Sequence, residues 1–253
     1  MLALTQLAGF GVVGPSGPQQ KSLSFISTSS TPEGIRKTNA SSSPSTTQGT
    51  ISLWVKPVGY DANGFLSMMT FGGSGSLGLS VDGEGISGGI SGSTFESVDT
   101  SIALNTWAHI VFQIETTQTT QVNRLKLFMN GTQAAENAGT SYPSLNQAHG
   151  LFTNGAAVTI GPVTSSSVRQ GRCKIAFVDV LEAVVAPSAL AFSNGGVWTR
   201  KPYTGAYSAH SYGLDGRLGF AATVGGAAHN FTPLSGTTEA ANLDASDLPP
   251  FIL

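Results

Sequence analysis

The residues of this chain best suited to chemistry are its aromatics. Trp54, Trp107 and Trp198 are its only tryptophans, and Tyr60, Tyr142 and Tyr203 fall in stretches that read as loops. A sugar-binding surface needs such rings for the apolar face of a pyranose, beside loop amides and hydroxyls for its hydroxyl groups. Tyr60, Tyr142 and Trp54 are the carbohydrate candidates on this ground. Sets for hydrolytic chemistry are harder to find. A glycosidase needs two carboxylates about 5 to 9.5 Å apart across the sugar. In "VDVLE", Asp179 and Glu182 lie three apart, so on a strand they point to opposite faces unless a bulge intervenes. His109, His149, His210 and His229 show no HxxxH or HExxH spacing, and no G-x-S-x-G elbow occurs. Cys173 is the lone cysteine, which excludes an intrachain disulfide and a thiolate metal cage. In "RCKIAFVDV" it alternates with apolar neighbours as a small strand residue. The expectation is a protein that is not an enzyme and has no cofactor.

The elements that must position these residues are short strands. "ISLWVKP" (51–57) sets Ile51, Leu53 and Val55 on one face and Trp54 on the other. A large aromatic opposite the aliphatic row means that the sheet is covered on both faces, or that the second face meets a partner or ligand. We expect Trp54 to lie under a covering segment, either the polar excursion of 27–50 or the C-terminal tail. "WAHIVFQIE" (107–115) puts Ala108, Ile110, Phe112 and Ile114 on one face, with His109, Val111 and Gln113 opposite. "RLKLFMNG" ends in Asn130-Gly131, and "SVDG" in Asp82-Gly83, both hairpin signals. "AVTIGP" and "CKIAFVDVLEAVV" supply further strands, and "APSALAF" (186–192) is the one helical turn, with Pro187 early in it. Strands with turn signals about every ten residues indicate an all-β antiparallel jelly-roll sandwich.

Composition agrees. The chain has 253 residues, 10% charged against about 25% in ordinary proteins, with 32 glycines and a formal net charge of −2. No Lys/Arg cluster occurs, so nucleic acid is excluded as a partner. Few charges suit a surface that packs on copies of itself or on neighbours. Residues 1–20, "MLALTQLAGFGVVGPSGPQQ", lack the basic start of a secretory signal and are too interrupted to enter a membrane, so they read as an N-terminal arm. Residues 21–204 form the expected sandwich, and 205–253, richer in Gly and Ala, an extension packing on the sandwich or on a neighbour.

The order "ISLWVKP", "LNTWAHIVFQIE", "LKLFMNGTQ", "VTIG" and "FVD…APS" resembles the concanavalin A-like lectin/glucanase sandwiches of laminin-G type. A departure is Phe128-Met129 in place of the usual aromatic–Val pair before Asn130-Gly131. "KSLSFISTSS", "FVDVLEAVVAPSALAF", "GGVWTRKPYTG", "HSYGLDG" and "HNFTP", from about Lys21 onward, resemble the laminin-G-like structural proteins of tailed bacteriophages. That resemblance implies a non-enzymatic virion structural protein, a head decoration, fibre or tail component. Such a protein is made in the host cytoplasm and packs as a homo-oligomer on other virion proteins. The alternative is a receptor-binding adhesin for host surface glycan. Laminin-G domains often hold a rim calcium on Asp and Asn oxygens, which makes Asp82, Asn130 and Asp179 the calcium candidates. Asp82 and Asn130 are also explained as turn residues. The family pattern sets Trp54 and Trp107 in strands, which favours packing.

Overall fold

The computed structural model describes residues 22–26, 34–40, 43, 46–60, 64–72, 75–80, 85–97, 101–161, 171–205, 208, 211–214, 221–224, 227–233, 243–244 and 247–250. The expected arm at 1–20 and the Asp82-Gly83 turn lie outside them. The strands are β1 (Ser22–Phe25), β2 (Ile35–Thr38), β3 (Gln48–Gly59), β4 (Phe65–Phe71), β5 (Gly75–Ser80), β6 (Ile86–Ile90), β7 (Ser93–Glu96), β8 (Ala108–Glu115), β9 (Leu125–Met129), β10 (Thr132–Gln133), β11 (Ala157–Ile160), β12 (Arg172–Leu181), β13 (Ala191–Asn194), β14 (Val197–Arg200), β15 (Tyr212–Leu214), β16 (Ala221–Val224), β17 (Ala227–Asn230), β18 (Thr232–Pro233) and β19 (Leu243–Asp244). Among the described residues no helix is long and apolar enough to cross a membrane.

Two antiparallel sheets make the expected sandwich. One runs β10-β9-β8-β3-β12-β1-β19, the other β18-β2-β11-β4-β5-β6-β7. Their facing residues alternate along β3, β8 and β9, as a half-buried pleat requires. Ile51, Leu53 and Val55 of β3, Ile110, Phe112 and Ile114 of β8, and Leu125 and Leu127 of β9 bury against Leu66, Met68, Leu77, Ile86 and Ile160. The sheets approach closely where β6 lacks side chains: a Cβ on Gly88 would lie 2.9 Å from the Phe112 ring. Residues after 204 supply strands to both sheets, with β15 on β12, β19 on β1 and β18 on β2.

The strand β12 changes face halfway. Cys173 and Ile175 point into the core, and so do Val178 and Val180, which breaks the strict alternation. The cause is a bulge between Ala176 and Asp179 against β3, with Phe177 at φ 49. Without that insertion, Asp179 would share the parity of Cys173 and Ile175 and enter the apolar core. With it, Asp179 pairs in register with Ser52 on the outer face. Along the free edge of β12, β1 and then β15 follow one another.

The outer face of the first sheet is itself covered, which settles the position of Trp54. Trp54 is 1% exposed, in a cluster with Ala176, Phe177 and Ala191, bordered by Trp107, Trp198 and Leu248. A second patch joins Val111, Leu181, Val185 and Leu190, flanked by Phe128 and Tyr203. The cover is therefore the 185–203 segment, folded as the 3-10 turn Pro187–Ala189 and the β13–β14 hairpin, together with the C-terminal stretch at 247–250. The polar excursion lends β2 to the opposite sheet instead.

Candidate functional site

An open cleft of about 580 Å³ lies at one end of this covering layer. Its lining includes all three tryptophans, with Asn105, Thr106, Asn130 and Ser193 as polar groups and Val197 and Pro250 as apolar ones. Trp54, Ser193, Val197 and Trp198 come from strands, and the other lining residues from the turns and segments beside them. The β9–β10 turn carries Asn130 at φ 47 and Gly131 at φ 76, the left-handed pair that a tight two-residue hairpin demands. The β13–β14 turn does the same with Gly195 and Gly196. The loop before β8 is tied back by the Asn105 backbone N–H, which donates to the Pro57 carbonyl at 2.7 Å.

The rings are held in fixed planes. Trp54 forms the floor and stacks on His109 at 5.1 Å; His109 in turn stacks on Trp198 at 6.3 Å. The Trp198 indole N–H donates to His109 Nδ1 at 3.0 Å. A ring nitrogen that accepts carries no proton, so in the neutral ring the proton sits on Nε2, which donates to Ser52 Oγ at 2.8 Å. Burial drives the His109 pKa from 6.5 down to about 3, with the Arg200 guanidinium adding to the effect. The ring is therefore neutral at ordinary pH and its tautomer is fixed. Trp198 rests on the β9–β10 turn: a Cβ on Gly131 would come within 2.4 Å of Trp198 Cη2. Trp107 is anchored separately, its indole N–H donating to Asp247 Oδ1 at 3.0 Å. Lys56 and Lys174 close on the same carboxylate at 2.9 and 2.7 Å. Burial pushes the Asp247 carboxyl up, but hydrogen bonds from Lys174, Lys56 and Trp107 outweigh it and hold the group below its ordinary value.

Both half-buried indoles thus spend their N–H inside the protein and leave ring surface at the cleft. Around them, the side chains of Asn105, Thr106 and Ser193 and the Asn130 amide nitrogen have no hydrogen bond among the described residues. The Asn130 side-chain oxygen is used, accepting from the His109 backbone N–H at 2.9 Å. The Ser52–His109 pair is not poised for nucleophilic catalysis: the nitrogen facing the hydroxyl already holds a proton, and both residues are buried.

The sequence candidates separate in space. Trp54 lines the cleft; Tyr60 and Tyr142 pack on the main core, and the Tyr60 hydroxyl donates to the Ile102 carbonyl. Of the calcium candidates, Asp82 lies outside the described residues, Asp179 is buried in β12, and Asn130 commits its oxygen to His109. Among the described residues no group of three or more His, Cys, Asp or Glu converges. The sequence reading passed over Asn105, Thr106, Ser193 and the role of Trp198. One local signal was available, Gly195-Gly196 between "AFSN" and "VWTR", a two-residue hairpin that returns Trp198 over the sheet.

Residues 32–168, just over half of the chain, match the laminin-G-type model of the concanavalin A-like lectin/glucanases superfamily. No curated protein matches the chain in sequence. Among solved structures, a putative carbohydrate binding protein from Bacteroides ovatus is similar at 12% identity and a TM-score of 0.51, over 92% of this chain and 62% of that one. The heptameric SAP-like pentraxin of Limulus polyphemus is similar at 14% identity and a TM-score of 0.44, over 66% of this chain and 78% of that one. The CBM40 of the Ruminococcus gnavus IT-sialidase, bound to α2,3-sialyllactose, follows at 15% identity and 0.40, over 67% and 94%. At these identities the likeness is one of fold.

Proposed function

Because the chain belongs to the concanavalin A-like lectin/glucanase superfamily, we propose that it is a non-catalytic carbohydrate-binding protein with the tryptophan cleft as its binding site. One observation carries the reading: three tryptophans distant in sequence converge on an open cleft edged by uncommitted amide and hydroxyl groups. About 580 Å³ falls within the range of about 300 to 1,000 Å³ common for small-ligand clefts. Indole faces with fixed planes lose little freedom on binding. Among the described lining residues there is no carboxylate to serve as the acid–base pair of a glycosidase.

The test is glycan binding by the intact chain, on an array and then by calorimetry. Trp198→Ala and Trp107→Ala each remove a stacking face worth about 1.5 to 3 kcal/mol, so affinity should fall tenfold or more. Binding that survives both substitutions unchanged would move the site elsewhere.

A second, compatible reading rests on the stretch from "GGVWTRKPYTG" to "HNFTP" and its resemblance to phage laminin-G-like proteins. It supports a module carried in several copies on a virion, packed on other virion proteins as a head decoration, fibre or tail component. Immunogold labelling of particles from the native lysate tests this; absence of the chain from purified particles by mass spectrometry would end it.

A further inference from the structure

We infer that the ligand of the tryptophan cleft is a neutral glycan, an uncharged hexose or N-acetylhexosamine chain, and that the cleft selects against sialic, uronic and sulfated sugars. The inference rests on the carbohydrate reading above and extends it to substrate class. Among the described residues ten line the cleft, and none of these ten is ionisable. Its polar groups are amides and hydroxyls, which both donate and accept and so match sugar hydroxyls. Among the described residues the charged groups around the tryptophans lie outside that lining. Lys56 and Lys174 share the Asp247 carboxylate. The Arg200 guanidinium packs over the Phe177 ring at 4.5 Å. His109 is held neutral beneath Trp198.

An anionic sugar entering between the indoles would leave water without meeting a cation among the described lining residues, and a desolvated, unpaired charge is the costliest group to bury. A neutral ring gives up only hydroxyl hydration, which Asn105, Thr106, Asn130 and Ser193 are placed to replace. The same neutrality makes binding nearly independent of salt, because exposed ion pairs are screened by salt whereas stacking and neutral hydrogen bonds are not.

The experiment is calorimetry of the full chain against maltotetraose, cellotetraose and lacto-N-tetraose, and against 3′-sialyllactose and tetragalacturonate, at low and high sodium chloride. Trp198→Ala serves as the site control. The expected result is that at least one neutral probe binds about tenfold or more tighter than either acidic probe. Its affinity should change by less than about twofold with salt, and Trp198→Ala should lower it about tenfold or more. Tighter binding of an acidic probe, sensitive to both Trp198→Ala and salt, would overturn the neutral-ligand inference and leave the carbohydrate reading standing. Absence of binding by any probe up to about 10 mM, or binding indifferent to Trp198→Ala, would overturn both.

Discussion

At the residue scale the molecule depends on a histidine that does no proton chemistry in its working range. His109 joins the floor and wall of the cleft by accepting from Trp198 and donating to Ser52. Its folded pKa is depressed, so the unfolded chain takes up the proton first as pH falls. Stability is therefore lost between pH 6.5, the ordinary value, and about 3. At pH 5 the loss from His109 amounts to about 2 kcal/mol, from about 1.5 pH units at 1.36 kcal/mol each. His149 adds in the same direction, since burial lowers it despite its bond to the Gln48 carbonyl and the nearby Glu182. Thermal midpoints at pH 7 and 5 for the wild type and His109→Gln check this. The variant should lose much of the difference, and an undiminished difference would assign it to other groups. Gly131 offers a second residue-scale check. Gly131→Ala adds a methyl at φ 76, against Trp198, and is expected to cost about 1 kcal/mol or more and to weaken glycan binding together with stability.

At the element scale the cleft is assembled by segments that only lean on the sandwich. The β13–β14 hairpin brings Trp198, and the stretch at 247–250 brings Pro250 and the carboxylate that orients Trp107. Asp247 closes the second of these onto Lys56 and Lys174. Its lowered pKa means the closure is complete above the ordinary carboxylate value of 3.8 and is released as pH falls through the lower folded value. Asp247→Asn keeps the shape and removes the charge. It should leave the sandwich's thermal midpoint nearly unchanged while lowering glycan affinity several-fold and speeding proteolysis at the C-terminal stretch. A variant that binds and resists protease like the wild type would show that apolar packing of Leu248 suffices.

At the scale of the whole molecule two cores are stacked on one sheet. The inner core holds the sheets together; the outer one, under the hairpin, holds the binding surface. They should respond differently to mutation. Phe112→Ala empties a site facing Gly88 and is expected to cost about 3 to 5 kcal/mol, whereas Gly88→Leu forces a side chain into the Phe112 ring and costs about 1 to 3 kcal/mol. Neither touches the cleft, so at temperatures where these variants are folded, glycan affinity should match the wild type. Urea midpoints beside calorimetry separate the two effects. A loss of affinity in the folded Gly88→Leu protein would mean that the sheets transmit strain to the cleft.

Much of this architecture was legible along the chain, because alternation is a local property. The period of two in "ISLWVKP" and "WAHIVFQIE" assigned each residue to a face, and Asn130-Gly131 announced its turn by the backbone it allows. Even the oddity of Trp54 was readable: a large aromatic opposite the aliphatic row means a second covered face. What covered that face was not local. The β12 bulge at Phe177 reverses the parity of the strand and brings Asp179 out of the core, and nothing in "KIAFVDV" marks where an extra residue enters. The convergence of Trp54, Trp107 and Trp198, and the sharing of one carboxylate by residues 56, 107 and 174, span up to 191 positions. Spacing along the chain determined which face each strand residue takes. Only long-range closure decided which faces meet, because register and packing depend on partners that no window of sequence contains.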